Sequence, residues 1–94
     1  MKDSGEMIKD IKDKDSNVRR HAIEMLEIMG DEKAVDALIL VLKDKNRFVR
    51  QEAIAALGRI GGEKVMESLT QALGEEKDEF VQDSIRKVLE KLRK

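Results

Sequence analysis

The 94-residue chain contains no cysteine, proline, tryptophan or tyrosine. Without cysteine it has neither a disulfide nor thiolate chemistry, and composition does not reveal its redox compartment. Without proline, only six glycines punctuate the chain. Aromatic residues make up 2% of it, as Phe48 and Phe80. A core must therefore come from Leu, Ile, Val, Met and Ala. No apolar run is long enough to span a bilayer. The opening residues, Met1 to Glu6, lack the apolar region of a signal peptide. A cytoplasmic protein without membrane association is the expectation. Neither sign of charge dominates: 19 Lys and Arg face 20 Asp and Glu, for a net charge of −1. Nucleic-acid binding calls for a basic excess on one face, so no nucleic-acid partner is expected.

What the chain does contain is helix-forming. Apolar residues are 40% and charged residues 41%, and Leu, Ala, Glu, Lys and Arg recur throughout. Dense but balanced charge suits a solvated helical surface laced with ion pairs. Ser4 is placed to cap a short first helix reaching Lys12, with Met7, Ile8 and Ile11 on one stripe. A second helix is expected from about Ser16 to Met29, capped by Asp15 or Ser16. Its apolar face is Val18, Ala22, Ile23, Met25, Leu26 and Met29. Gly30 can end it in the left-handed conformation. Asp31 then caps a third helix bearing Ala34, Val35, Leu38, Ile39 and Leu42. So short a connection folds the two helices back as a hairpin.

The hairpin recurs. Asp13, Val18, Arg19, Ile23, Leu26, Gly30 and Leu38 match Asp44, Val49, Arg50, Ile54, Leu57, Gly61 and Leu69, each 31 positions later. That period lies in the solenoid range. The same step sets Ile85 against Ile54 and Val88 against Leu57. One period earlier, Met7, Ile8 and Ile11 stand against Leu38, Ile39 and Leu42. The division expected is a half repeat over 1–12, repeats over 13–43 and 44–74, and a C-terminal capping helix over 77–94. Met1 and the two charged ends favour a complete protein.

The residues Val49-Arg50, Ala53, Ile54, Leu57, Gly58, Ile60, Gly61, Val65, Leu69 and Leu73, with their first-copy partners, resemble the HEAT-like repeat family. The nearest class is the short repeats also found in phycobilisome lyase subunits. The resemblance implies an all-α, right-handed α-solenoid of about three helix-hairpin repeats and six helices. It also implies a hydrogen-bonded ladder in which an Asp precedes an Arg by six residues: Asp13 with Arg19, and Asp44 with Arg50. In the third unit Glu75 stands for the Asp and Val81 takes the Arg position. The ladder is therefore expected to stop before the last helix, whose charged ending fits an end cap.

No catalytic constellation emerges. His21, the only histidine, lies between Val18 and Met25 at the border of an apolar stripe and has no evident partner for acid–base or metal chemistry. HEAT-like hydroxylases hold iron through His-Glu pairs, and Arg20-His21-Ala22 and Gln51-Glu52-Ala53 contain none. Asp13-Lys14-Asp15 lacks the continuation of a calcium loop and reads as helix capping. Gly61-Gly62 has no preceding strand or following Lys-Ser/Thr and reads as a helix stop and restart. Phe80 falls at the Val49 register and is expected in the core, with Phe48 covering the joint between repeats. No cofactor is expected.

Leu40 and Val41 interrupt a polar face, where the other units carry Lys9 and Gln71 at the Leu40 position. Second helices line the concave surface in HEAT-like arrays. That places Leu40 and Val41 near its centre, rimmed by Lys9, Asp36, Glu67 and Gln71. An apolar centre with a polar rim is the anatomy of a protein-binding patch. A central helix buried on more sides would show the same pattern, and both readings stand. The expected function is a non-catalytic protein–protein interaction scaffold. The alternatives are an accessory subunit of a lyase-type or other enzyme, or a self-associating module. A homodimer would use the C-terminal helix, where Val81, Val88, Leu89 and Leu92 need a partner.

Overall fold

The computed structural model describes residues 4–94, and the capping role expected of the Ser4 side chain lies outside what it describes. Six helices follow one another: α1 (Ser4–Asp10), α2 (Ser16–Met29), α3 (Glu32–Val41), α4 (Arg47–Ile60), α5 (Glu63–Glu75) and α6 (Glu79–Leu92). No strand occurs among the described residues. Side-chain oxygens set most of the starts by accepting from free first-turn amides. Asp15 accepts from Asn17, Asp31 from Ala34, Asn46 from Phe48 and Val49, and Asp78 from Phe80 and Val81. Gly30 ends α2 at φ 59°, a left-handed conformation that costs a residue with a Cβ.

The helices form two layers. In one, α2 packs on α4 and α4 on α6; in the other, α1 packs on α3 and α3 on α5. Apolar stripes from both layers meet between them. Ala22, Ile23 and Leu26 of α2, Leu38 of α3, Ile54 and Leu57 of α4, Leu69 of α5 and Ile85 of α6 are fully or almost fully buried. The molecule measures 36 × 24 × 15 Å. The thin dimension fits two helix layers about 10 Å apart.

The third unit differs from the 31-residue register. α5 runs through Glu75, extending beyond the span of α3, and the connection to α6 is shorter than that between α3 and α4. The net gain is one residue. Val81, not Phe80, is therefore the structural counterpart of Val49, and both valines are completely buried. Phe80 is 53% exposed, which corrects its expected place in the core. Leu89 rather than Val88 matches Leu57, and Ile85 matches Ala53; Ile85 and Leu89 are buried.

The slip also corrects the ladder. Glu76, not Glu75, takes the place of Asp44, and Gln82, not Val81, takes that of Arg50. Arg19 donates through Nε to Asp44 Oδ2 at 2.8 Å and through Nη1 to the Asp13 carbonyl at 2.8 Å. Arg50 repeats this with Glu76 Oε1 at 2.9 Å and the Asp44 carbonyl at 2.8 Å. Gln82 donates from Nε2 to the Glu76 carbonyl at 2.6 Å. The ladder thus continues into the last helix, with an uncharged final rung. Arg19 is 5% exposed. Its several charge-assisted hydrogen bonds offset the desolvation that burial imposes.

Candidate interaction surface

Leu40 lies on the outer side of the layer formed by α1, α3 and α5 and is 60% exposed. Its neighbour Val41 is 3% exposed. Val41 therefore belongs to the core and not to the surface patch expected for it. Successive helix residues project about 100° apart, which separates the two environments. Burial in the core accounts for Val41 and not for Leu40.

Leu40 borders a groove of about 520 Å³ between α3 and α5. Ile39, Leu42 and Ala72 give it further apolar lining, and Gln71 and Ser68 give it amide and hydroxyl groups. At the end near the inter-unit loops stand Lys43, Asp44, Arg50, Glu75, Glu76 and Lys77. These charges are not alike in availability. Arg50 is paired with Glu76 at 2.9 Å and Asp44 with Arg19 at 2.8 Å. Lys43 and Lys77 form no ion pair among the described residues.

The other expected rim residues are distributed more widely. Gln71 shares the groove with Leu40. Glu67 lines a shallower neighbouring hollow with Glu63, Met66, Thr70 and Gln71. Asp36 is tied to Lys64 on α5. That hydrogen bond raises the Lys64 pKa against the opposing effect of desolvation, with the Asp36 and Glu32 charges adding to it. Lys9 is exposed but lines neither hollow. Sequence reasoning did not single out Lys43 and Lys77, because which charges stand unpaired beside the groove depends on the pairing of their neighbours in space.

On the opposite layer, side chains stitch the units together. Arg20 meets Glu52 at 2.6 Å, Arg59 meets Glu27 at 2.7 Å, and Gln51 donates to Ser84 at 3.1 Å. The Glu52 hydrogen bond raises the Arg20 pKa. Arg47 bridges to Asp78 at 3.1 Å, and its guanidinium carbon lies 5.8 and 5.2 Å from the ring centroids of Phe48 and Phe80. Both rings are thus drawn to one arginine at the joint between units. Burial pushes the Asp78 carboxyl up, but amide bonds from Val81 and Phe80 and the charges of Arg47 and Arg50 outweigh it, so its pKa is lowered.

Half of the C-terminal stripe is buried within the chain, and Val88 and Leu92 are half-buried. Val81 and Leu89 are buried. Gly58 brings α4 so near α6 that a Cβ there would stand 2.7 Å from Val88 Cγ1, whereas a Cβ at Gly61 would make an ordinary contact with Leu92 Cδ2 at 3.8 Å. The α6 residues expected to need a second copy thus find neighbours on α4 and α5 within the chain. Among the described residues no group of three or more His, Asp or Glu side chains is arranged to hold a metal ion. No described helix is long and apolar enough to cross a membrane.

Two layers of paired helices, repeated buried positions and an arginine rung joining successive units agree with a sequence comparison. Residues 6–90 match the family pattern of HEAT repeats. The chain belongs to the HEAT repeat family. No curated protein matches it in sequence. As a HEAT-repeat chain it is an all-α solenoid, a fold commonly used to scaffold protein interactions. The family assignment covers the groove, α3 and α5 included, without specifying an occupant.

Proposed function

We propose that this HEAT-repeat protein is a non-catalytic interaction module that holds a segment of another protein in the groove between α3 and α5. The observation that carries the reading is Leu40, 60% exposed beside a concavity of about 520 Å³. A large aliphatic side chain left in water at a groove edge gains free energy when a partner covers it. Gln71 and Ser68 supply hydrogen-bonding groups beside it, and Lys43 and Lys77 supply uncommitted positive charge. The partner segment therefore carries an aliphatic anchor with an acidic residue close by. The groove's apolar lining contributes affinity, while the two lysines favour the correct orientation.

The test is affinity capture from source lysate using the parent, Leu40→Glu and a Lys43→Glu/Lys77→Glu variant, with circular dichroism showing all three folded. The captured protein is then crosslinked from a photoreactive residue at position 71. A partner lost with Leu40→Glu, weakened by the lysine reversals and crosslinked at position 71 supports the groove. Equal capture by the parent and Leu40→Glu overturns it.

A further inference from the structure

The first-type helices α2, α4 and α6 carry one stripe in corresponding positions. In α4 it is Val49, Glu52, Ala56 and Arg59; in α6 it is Val81, Ser84, Val88 and Lys91. In both helices the stripe faces the preceding first-type helix. Val49, Ala56 and Val81 are completely buried, and Val88 packs on Gly58. Glu52 meets Arg20, Arg59 meets Glu27, and Ser84 accepts from Gln51.

In α2 the same stripe is Val18, His21, Met25 and Ile28, and no first-type helix precedes it among the described residues. Its exposure rises accordingly. Val18 is only half-buried where Val49 and Val81 are sealed, and Ile28 is 76% exposed with Met29 beside it at 39%. At the position where α4 and α6 carry Arg59 and Lys91, α2 carries an isoleucine. The spacing of three, four and three residues is that of a seam made to meet another helix.

A second open position lies at the same end. Asp44 and Glu76 each accept an arginine from the preceding unit and each also caps the amide two residues on. Asp13 accepts from the Asp15 amide in the same manner at 2.9 Å. Its carboxylate meets no arginine among the described residues. Among the described residues, the first acceptor of the ladder has no arginine donor and lies beside an apolar stripe with no helix on its outer side.

We propose that the uncovered face of α2 docks an arginine-bearing amphipathic helix of another polypeptide, parallel to α2, with the arginine on Asp13. The chain itself supplies the recognition rule. Helices that occupy this place in the stack carry Arg19, Ile23 and Leu26, or Arg50, Ile54 and Leu57. The partner helix therefore carries an arginine in its first turns and aliphatic residues four and seven positions later. It runs parallel because Arg19, near the start of α2, reaches Asp44 just before α4. A second copy stacked end to end does not meet this rule. Its α6 holds Gln82 at the arginine position, and Glu79 would stand opposite Asp15, where Arg47 meets Asp78 within the chain.

The test uses a fluorescein-labelled, side-chain-stapled helical peptide copying residues 13–30, titrated into the full chain and followed by anisotropy. Saturable binding is expected, at least tenfold weaker to Ile28→Glu and weaker to Asp13→Lys. An Arg19→Glu version of the peptide should bind Asp13→Lys better than it binds the parent. Leu40→Glu, on the other layer, should bind the original peptide as the parent does, which separates this surface from the groove. Circular dichroism establishes that the variants are folded. No saturable binding, or equal affinity for the parent and Ile28→Glu, overturns the proposal. A dimer in light scattering that Ile28→Glu converts to monomer also overturns it, by assigning the face to a second copy.

Discussion

Arg19 is a buried charge that the fold must keep satisfied. Its side chain and that of Asp44 are 6% and 8% exposed, so water offers little replacement for a lost partner. Arg19→Ala leaves Asp44 buried without its arginine and frees the Asp13 carbonyl. The expected loss is about 3–5 kcal/mol, read from urea unfolding; a loss within error would show that the rung is ornamental. The existence of this rung was legible from Asp13, Arg19, Asp44 and Arg50 because their spacing repeats. Its end was not legible, since Glu75 and Glu76 are chemically alike and only the backbone decides which replaces Asp44. Asp78 gives a second residue-scale test. Its lowered pKa means that its ionised form is favoured in the folded chain. Its stabilisation is complete above the ordinary aspartate value of about 3.9 and is lost as pH falls through the lower folded value. Asp78→Asn keeps an N-capping oxygen but cannot ionise. Urea midpoints should show it less stable than the parent at neutral pH, with the gap closing in that acid window. A gap that persists unchanged at the lowest pH would remove ionisation as its cause.

Between elements, the clearest constraint is the approach of α4 to α6 at Gly58. An added Cβ would sit 2.7 Å from Val88 Cγ1, and a β-branched valine in a helix has few rotamers with which to move aside. Ala gains about 1 kcal/mol over Gly in helix propensity, whereas overpacking costs about 1–3 kcal/mol. Gly58→Ala should therefore be neutral to about 2 kcal/mol destabilising. The decisive measurement is the cycle with Val88→Ala: the alanine at position 58 should become favourable once the valine methyls are gone. A Gly58→Ala effect that is the same in both backgrounds would deny the close contact. The helices themselves were legible from apolar periodicity, Gly30, and caps such as Asp15 and Asp31. The placement of Phe80 was not, because α5 extends farther than α3 and the one-residue gain is hidden until helix ends are known. Leu40 and Val41 show the same limit on a smaller scale. Composition marks both as apolar, but only their directions from the helix axis assign one to water and the other to the core.

Across the whole molecule, stability should be graded along the stack because each helix depends on its neighbours. α4 packs on α2, α3, α5 and α6, and Val49, Ala53, Ile54, Ala56 and Leu57 are all buried. α1 spans only seven residues and packs on α2 and α3. Its buried apolar side chain is Met7, with Ile11 just beyond its end. A helix that short is unstable without tertiary support, and α1 can detach while the α2–α6 core remains. Opening α4 requires separating both layers and breaking the ladder on either side of it. Native-state hydrogen exchange should therefore show the slowest amides in α4 and the fastest helical amides in α1, with the intervening helices between them. Equal protection of α1 and α4 would mean that the chain opens only as a single unit, and the graded stack would be wrong. Greater protection throughout α2 than α4 would instead place the strongest packing at the end where Ile28 is exposed, contrary to the asymmetry on which its docking role rests.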